Sequence, residues 1–226
     1  MRKTVIFDLD GTLIDTEKYF KIFWQKAAAE CGYTMSEEQA LQLRSLGRPY
    51  APELLRKWFG DEFDYIQVRD CRRKMMQAHL EKVGLETKPG AEQALKQLKK
   101  EGCRIALATA TPIERAKEQL EQVGLLKYFD EVVSAVQVER GKPAPDVYLY
   151  ACRKLGIAPE EAFAVEDSPN GAMSAIKAGI KVIFIPDQTQ LEPELLEQIY
   201  ACIPGLVHLP EILLGDSVIP VQEINS

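Results

Sequence analysis

The chain has 226 residues, 46% apolar and 27% charged, proportions that exclude a disordered or fibrous protein and suit one domain carrying an insertion. Its 28 Lys and Arg face 34 Asp and Glu, a net charge of −6, which argues against a general nucleic-acid binder. The five cysteines are scattered, with no CxxC pair, so the expected setting is a reducing cytoplasm rather than a disulfide framework or a zinc site.

Arg2 and Lys3 precede an apolar stretch, but Asp8 and Asp10 cut it far short of a signal peptide. No apolar run approaches the ~20 residues of a membrane span, so no membrane partner is expected. Thr4-Val5-Ile6-Phe7 reads as a buried strand that ends in the turn Asp8-Leu9-Asp10-Gly11-Thr12. From Thr16 to Leu85 no strand pattern occurs. Phe20, Phe23, Trp24, Ala27 and Cys31 mark one helix face, Leu54, Leu55, Trp58 and Phe59 a second, and residues 64–83 a third helix rich in Arg and Lys. We read residues 16–85 as a helical cap domain and residues 1–15 with 86–226 as the core domain. The joins are Asp15-Thr16 and Glu86-Thr87-Lys88-Pro89-Gly90, whose Pro-Gly pair suits a hinge.

Beyond Gly90, strands and amphipathic helices alternate. Strands are predicted at 104–108, 131–134, 162–165 and 181–185. Helices are predicted around Leu95, around Leu120 with Thr111 as N-cap, Pro112 at N1 and Glu114 at N3, and around Ala175. Residues 205–226 are expected to add a last strand and a tail. The pattern predicts an α/β fold: a Rossmann-like three-layer parallel sheet core with a helical cap domain inserted after the first strand.

Ligands of such sheets bind outside the carboxyl ends of the strands. At those ends stand Asp8 and Asp10, Thr109-Ala110-Thr111, Gly141-Lys142-Pro143 and Glu166-Asp167. A like-charge pair 4 Å apart costs about 4 kcal/mol at an effective dielectric near 20, so the carboxylates need protons or a cation. Hard oxygen donors without His or Cys suit Mg2+, and the lysine and hydroxyl beside them suit a phosphoryl group. A calcium loop is excluded, because Thr12 stands where that pattern needs an acid or Asn.

Asp8-Leu9-Asp10-Gly11-Thr12, Thr109, Lys142-Pro143 and Glu166-Asp167-Ser168 resemble, in order, the four motifs of the haloacid dehalogenase superfamily. Gly141 to Asp146 and Val165 to Gly171 resemble its β-phosphoglucomutase-like branch. The resemblance implies that Asp8 is a nucleophile forming an aspartyl-phosphate, and that Asp10 protonates the leaving alkoxide and then activates water. It implies Mg2+ among Asp8, the Asp10 backbone carbonyl and Asp167. Thr109 and the Ala110 N–H would hold phosphoryl oxygens, Lys142 would neutralise charge, and Glu166 would stand behind, orienting Lys142 or a metal-bound water. The second Asp of the first motif favours oxygen-linked phosphate esters over dehalogenation.

In the cap, Arg48 of Gly47-Arg48-Pro49 is the first candidate for substrate binding. Thr16, Tyr19 and Phe20 open the first cap helix, facing the core entrance. Arg69, Arg72, Arg73 and Lys74 read as a solvated helix face. The β-phosphoglucomutases carry a His early in the first cap helix; the matching position here is Phe20, and neither His79 nor His208 replaces it. The expected function is therefore an Mg2+-dependent phosphatase of a small-molecule phosphate ester, a cytoplasmic monomer. A sugar phosphomutase is the alternative. A non-catalytic phosphometabolite-binding protein is the third reading, and loss of Asp8 or Asp10 would have been its signature.

Overall fold

The computed structural model describes residues 3–215. Strand β1 (Thr4–Phe7) is buried throughout, which an apolar run with no polar alternation requires. Strands β2 (Arg104–Thr109), β3 (Glu131–Ser134), β4 (Ala162–Glu166), β5 (Lys181–Phe184) and β6 (Ala201–Cys202) complete a parallel sheet of order β3-β2-β1-β4-β5-β6. Phe7, the last residue of β1, is in register with Leu107 on one side and Val165 on the other, so β2 and β4 end within two residues of it. The strand order reverses beside β1, which makes the gap between β1 and β4 the switch point of the sheet.

Side chains alternate across the sheet. Val5 and Phe7 join one core layer and Ile6 the other. Four helices of the insertion follow β1: α1 (Glu17–Glu30), α2 (Glu37–Gln42), α3 (Tyr50–Phe59) and α4 (Tyr65–Val83). They pack on their own apolar cluster, with Trp24, Ala27, Leu43, Leu55 and Val68 at its centre. Of the following helices, α5 (Ala91–Lys100) and α6 (Ile113–Gln122) cover the Phe7 face. Helices α7 (Asp146–Leu155) and α8 (Pro169–Lys177) cover the Ile6 face, with α9 (Pro193–Leu196) beside them, and α10 (Leu209–Leu214) returns to the first face. The expected α/β sheet with a helical insertion after its first strand is the observed architecture. Among the described residues, no helix is long and apolar enough to cross a membrane.

Three local readings are corrected. Helix α2 was not anticipated, although Ser36 and Gln39 form a reciprocal capping box that announces it. Helix α6 begins at Ile113, and Thr111 does not cap it, because the Thr111 hydroxyl is engaged elsewhere. The sixth strand is Ala201–Cys202, ahead of residue 205; Leu206–His208 form a 3-10 turn and Leu209–Leu214 a helix. The remainder of the expected tail, residues 216–226, lies outside the described residues.

Candidate active site

The turn after β1 carries Asp8 to the switch point. Gly11 has φ +87°, a left-handed conformation, and a Cβ there would collide with the Asp167 carboxylate; glycine lets this loop pass directly beside the end of β4. Asp8 is 2% exposed. Lys142 Nζ donates to Asp8 Oδ1 at 2.5 Å and to Glu166 Oε1 at 2.6 Å, and the Tyr148 hydroxyl donates to the same Glu166 oxygen at 2.6 Å. Glu166 thus holds Lys142 against Asp8 from behind. Thr12 Oγ1 donates to Asp167 Oδ1 at 2.9 Å.

Asp10 stands apart from this group. Thr16 donates to its Oδ1 and Thr111 to its Oδ2, both at 2.8 Å, so both oxygens are fixed. Thr16 is fully buried and acts on Asp10 instead of facing the entrance. Thr109, at the end of β2, accepts the Thr111 N–H at 3.0 Å.

A residue that the sequence reading passed over closes the cluster. Arg44, in the turn after α2, is 1% exposed. Its Nε donates to Glu17 at 2.7 Å, its Nη1 to Thr189 at 2.7 Å, and its Nη2 to Asp167. Asn170 Nδ2 donates to the Arg44 carbonyl at 2.9 Å. Close by, Gly47 N–H donates to the Lys142 carbonyl at 2.8 Å and Gly141 N–H to the Arg48 carbonyl at 2.7 Å. This double clasp needs two glycines, since a Cβ on Gly47 would lie 2.6 Å from the Gly141 Cα.

Burial governs the electrostatics. It pushes Asp8 up to about 8, although Lys142 pulls the other way, and Asp167 well above the carboxylate range against the pull of Arg44. It pushes Glu17 up to about 7, again opposed by Arg44. For Lys142 burial works against the charge, but Asp8 and Glu166 outweigh it and raise its pKa. Four carboxylates (Asp8, Glu17, Glu166 and Asp167) are buried with two cations (Arg44 and Lys142), a deficit of two positive charges. Asp8, Glu166 and Asp167 present ligand oxygens within 4.8 Å of one another, and Glu166 Oε2 is buried without a hydrogen-bond partner among the described residues. All donors are hard oxygens, so a divalent cation such as Mg2+ fits this group in charge and chemistry. Glu166 belongs to the triad as fully as Asp8 and Asp167; the Asp10 carboxylate does not.

Above these residues lies a cavity of about 490 Å³. Asp8, Asp10 and Ala110 face it from the sheet, and Phe20 and Arg48 from the helical insertion. Tyr19 does not line it: its ring packs on His79 at 4.5 Å. Arg69, Arg72 and Arg73 do line it, which corrects their reading as a solvated face, while Lys74 is exposed. Helical periodicity placed these arginines on α4 but could not say that α4 lies across the cavity.

Chemistry gathered over the switch point of a parallel sheet defines the class: an α/β enzyme whose site is built from strand ends. A family model for haloacid dehalogenase-like hydrolases matches residues 5–185, and the chain belongs to that family. It is 34% identical over 188 residues to the phosphorylated carbohydrates phosphatase of Thermotoga maritima, covering 80% of this chain and 84% of that one. It is 29% identical over 182 residues to the β-phosphoglucomutase of Bacillus subtilis, covering 78% and 79%. In fold it is similar to the crystal structure of β-phosphoglucomutase from Clostridium difficile, with a TM-score of 0.78 over 92% of this chain and 93% of that one at 20% identity.

Proposed function

We propose that this enzyme is a divalent-cation-dependent phosphatase of small phosphate esters, sugar phosphates foremost, acting by phosphoryl transfer to Asp8. The observation that carries this reading is Asp8 held by Lys142 in the wall of the cavity, with Asp10 fixed at both oxygens beside it. The Asp8 carboxylate attacks phosphorus, the P–O bond to the alcohol breaks, and the departing oxygen takes its proton from Asp10. Asp10, now ionised, takes a proton from the water that cleaves the aspartyl-phosphate, which releases inorganic phosphate and restores Asp8. Asp8, Glu166 and Asp167 would hold the cation, Mg2+ by the chemistry of the donor set, which supplies charge neutralisation when bound. Lys142 neutralises Asp8 and the incoming phosphoryl group. Thr109 and the Ala110 N–H serve the phosphoryl oxygens from the end of β2. The cavity volume falls in the range of about 300–1,000 Å³ typical of small-molecule sites, and the relatives named as acting on phosphorylated sugars support that substrate class.

The competing reading is a sugar phosphomutase, in which the phosphoryl group returns to a second hydroxyl of the same sugar. Against it, no histidine lines the cavity among the described residues, and Phe20 is part of its wall. The test is phosphate release from a panel of phosphorylated metabolites, with Mg2+ and with EDTA, each reaction also assayed for isomerised sugar phosphate. Mg2+-dependent release is expected, lost by roughly 10⁴-fold or more in Asp8→Asn while that variant still unfolds in one cooperative step. Isomerisation without release would replace the phosphatase by the mutase.

A further inference from the structure

The carboxylates of this site have buried cations against them, but much of the positive charge on the cavity wall has no carboxylate. Arg72 and Arg73 reach the cavity from α4, and Arg115 reaches it from the first turn of α6. Arg69 lines the cavity too, but its Nε and Nη2 both donate to Asp70. Arg73 has only a 3.9 Å pair with that same carboxylate, and Arg115 has no ion pair among the described residues. Arg48, on the α2–α3 loop, is likewise unpaired there.

Arg72 is the centre of the group. Its guanidinium lies over the rings of Phe20 at 4.9 Å and Trp24 at 5.2 Å. Its Nη1 meets the Met76 sulfur, at 3.7 Å, and its Nε is buried with no partner among the described residues. Trp24 Nε1, in the same wall, is also buried with no partner among them. Both groups are donors that cannot accept, so what each calls for is an acceptor, which an oxygen-rich ligand supplies. The remaining unpartnered atom of the wall, Gln119 Oε1, belongs to an amide that can present either end. Burial and the adjacent Arg73 bring Arg72 down to about 10, which leaves it charged at neutral pH. Arg115 depresses both Arg72 and Arg73, so the three guanidinium groups share one field. In a chain of net charge −6 this convergence is not a general surface property. Planar guanidinium forks match carboxylate and phosphate oxygens two at a time.

We propose that Arg72, Arg73 and Arg115 form an anion subsite, and that the preferred substrates carry a second anionic group, phosphate or carboxylate, away from the scissile phosphate. This rests on the phosphatase reading for the first anion. Stacked aromatic rings hold the Arg72 fork in place before the ligand arrives, so little ordering is needed on binding.

The test uses three open-chain ligands of one length: sorbitol 6-phosphate, 6-phosphogluconate and sorbitol 1,6-bisphosphate. Binding is measured by calorimetry on Asp8→Asn, and kcat/KM on the wild type. At least one of the two ligands with a second anionic group is expected to bind about tenfold or more tightly than sorbitol 6-phosphate. Preference for the bisphosphate or for the carboxylate identifies the second group. Arg72→Gln and, separately, Arg115→Gln in the same background are expected to remove most of that margin; Arg115 is half-buried and makes no ion pair among the described residues, so its replacement does not threaten folding. Equal binding of all three ligands overturns the subsite, as does a margin that survives both substitutions. The two readings fail separately. Hydrolysis of sorbitol 6-phosphate as efficient as that of the others leaves the phosphatase and removes the subsite. A binding margin without hydrolysis of any ester leaves the subsite and removes the phosphatase.

Discussion

The sheet edge and the α4 wall of one cavity treat positive charge in opposite ways. At the sheet edge, Lys142 and Arg44 are buried to within 1% exposure, and each touches at least two carboxylates. On the α4 wall, Arg72 is stacked on aromatic rings with an Nε unpartnered among the described residues, and beside it Arg115 of α6 makes no ion pair among them. A buried charge without a partner is costly, so each buried cation of the sheet edge has to be paired with carboxylates before any ligand binds. A half-buried guanidinium still reaches water and can wait. The first arrangement fixes reacting groups; the second leaves recognition capacity unspent.

That contrast is most sharply broken at Lys142. Replacing it with Met strands Asp8 and Glu166 in the interior, and we expect a loss of about 3–5 kcal/mol in urea unfolding without metal. Glu166→Gln added to that variant should recover part of the loss, and a wild-type unfolding curve for Lys142→Met would mean that the sheet edge is not closed electrostatically. Arg44→Met, which strands Glu17 and Asp167, should fall in the same range.

The next effect is pH dependence without metal. Asp8 and Glu17, raised to about 8 and about 7, stay protonated in the folded chain over a range where the unfolded chain has lost those protons. The folded state binds more protons there, so stability must fall as pH rises from about 4 toward 8. Melting temperatures in EDTA should decline across that window, and added Mg2+ should flatten the decline; a rise in EDTA would contradict it. The smallest effect belongs to the arginine wall, at its α6 member. Arg115→Gln should change unfolding stability by no more than about 0.5 kcal/mol, since it breaks no ion pair. A loss as large as that of Lys142→Met would erase the distinction between the two sides.

The parts of this picture that were readable in advance share one property: they are written in local spacing. The strand before Asp8 and the motif residues at 109, 142 and 166–167 follow from runs and turns of a few residues. Arg44 does not, because 123 residues separate it from Asp167 and nothing near it in sequence marks it as buried. Thr111 misled for a related reason. Its neighbours Pro112 and Glu114 make a sound helix start, but a hydroxyl can serve one acceptor well, and Asp10, 101 residues away, takes it. The arginines of α4 were legible as a charged face, while the surface they meet was set by how α4 packs on α1.

The glycine clasp has a mechanical consequence. Two covalent connections tie the helical insertion to the sheet, and beside the Arg44 side-chain contacts the Gly47–Lys142 and Gly141–Arg48 hydrogen bonds add an attachment made of backbone alone. The far side of that attachment is the residue whose ammonium grips Asp8. Lifting the insertion therefore tugs on the lysine loop itself, and admission of a substrate and the grip on the nucleophile become movements of a single lever.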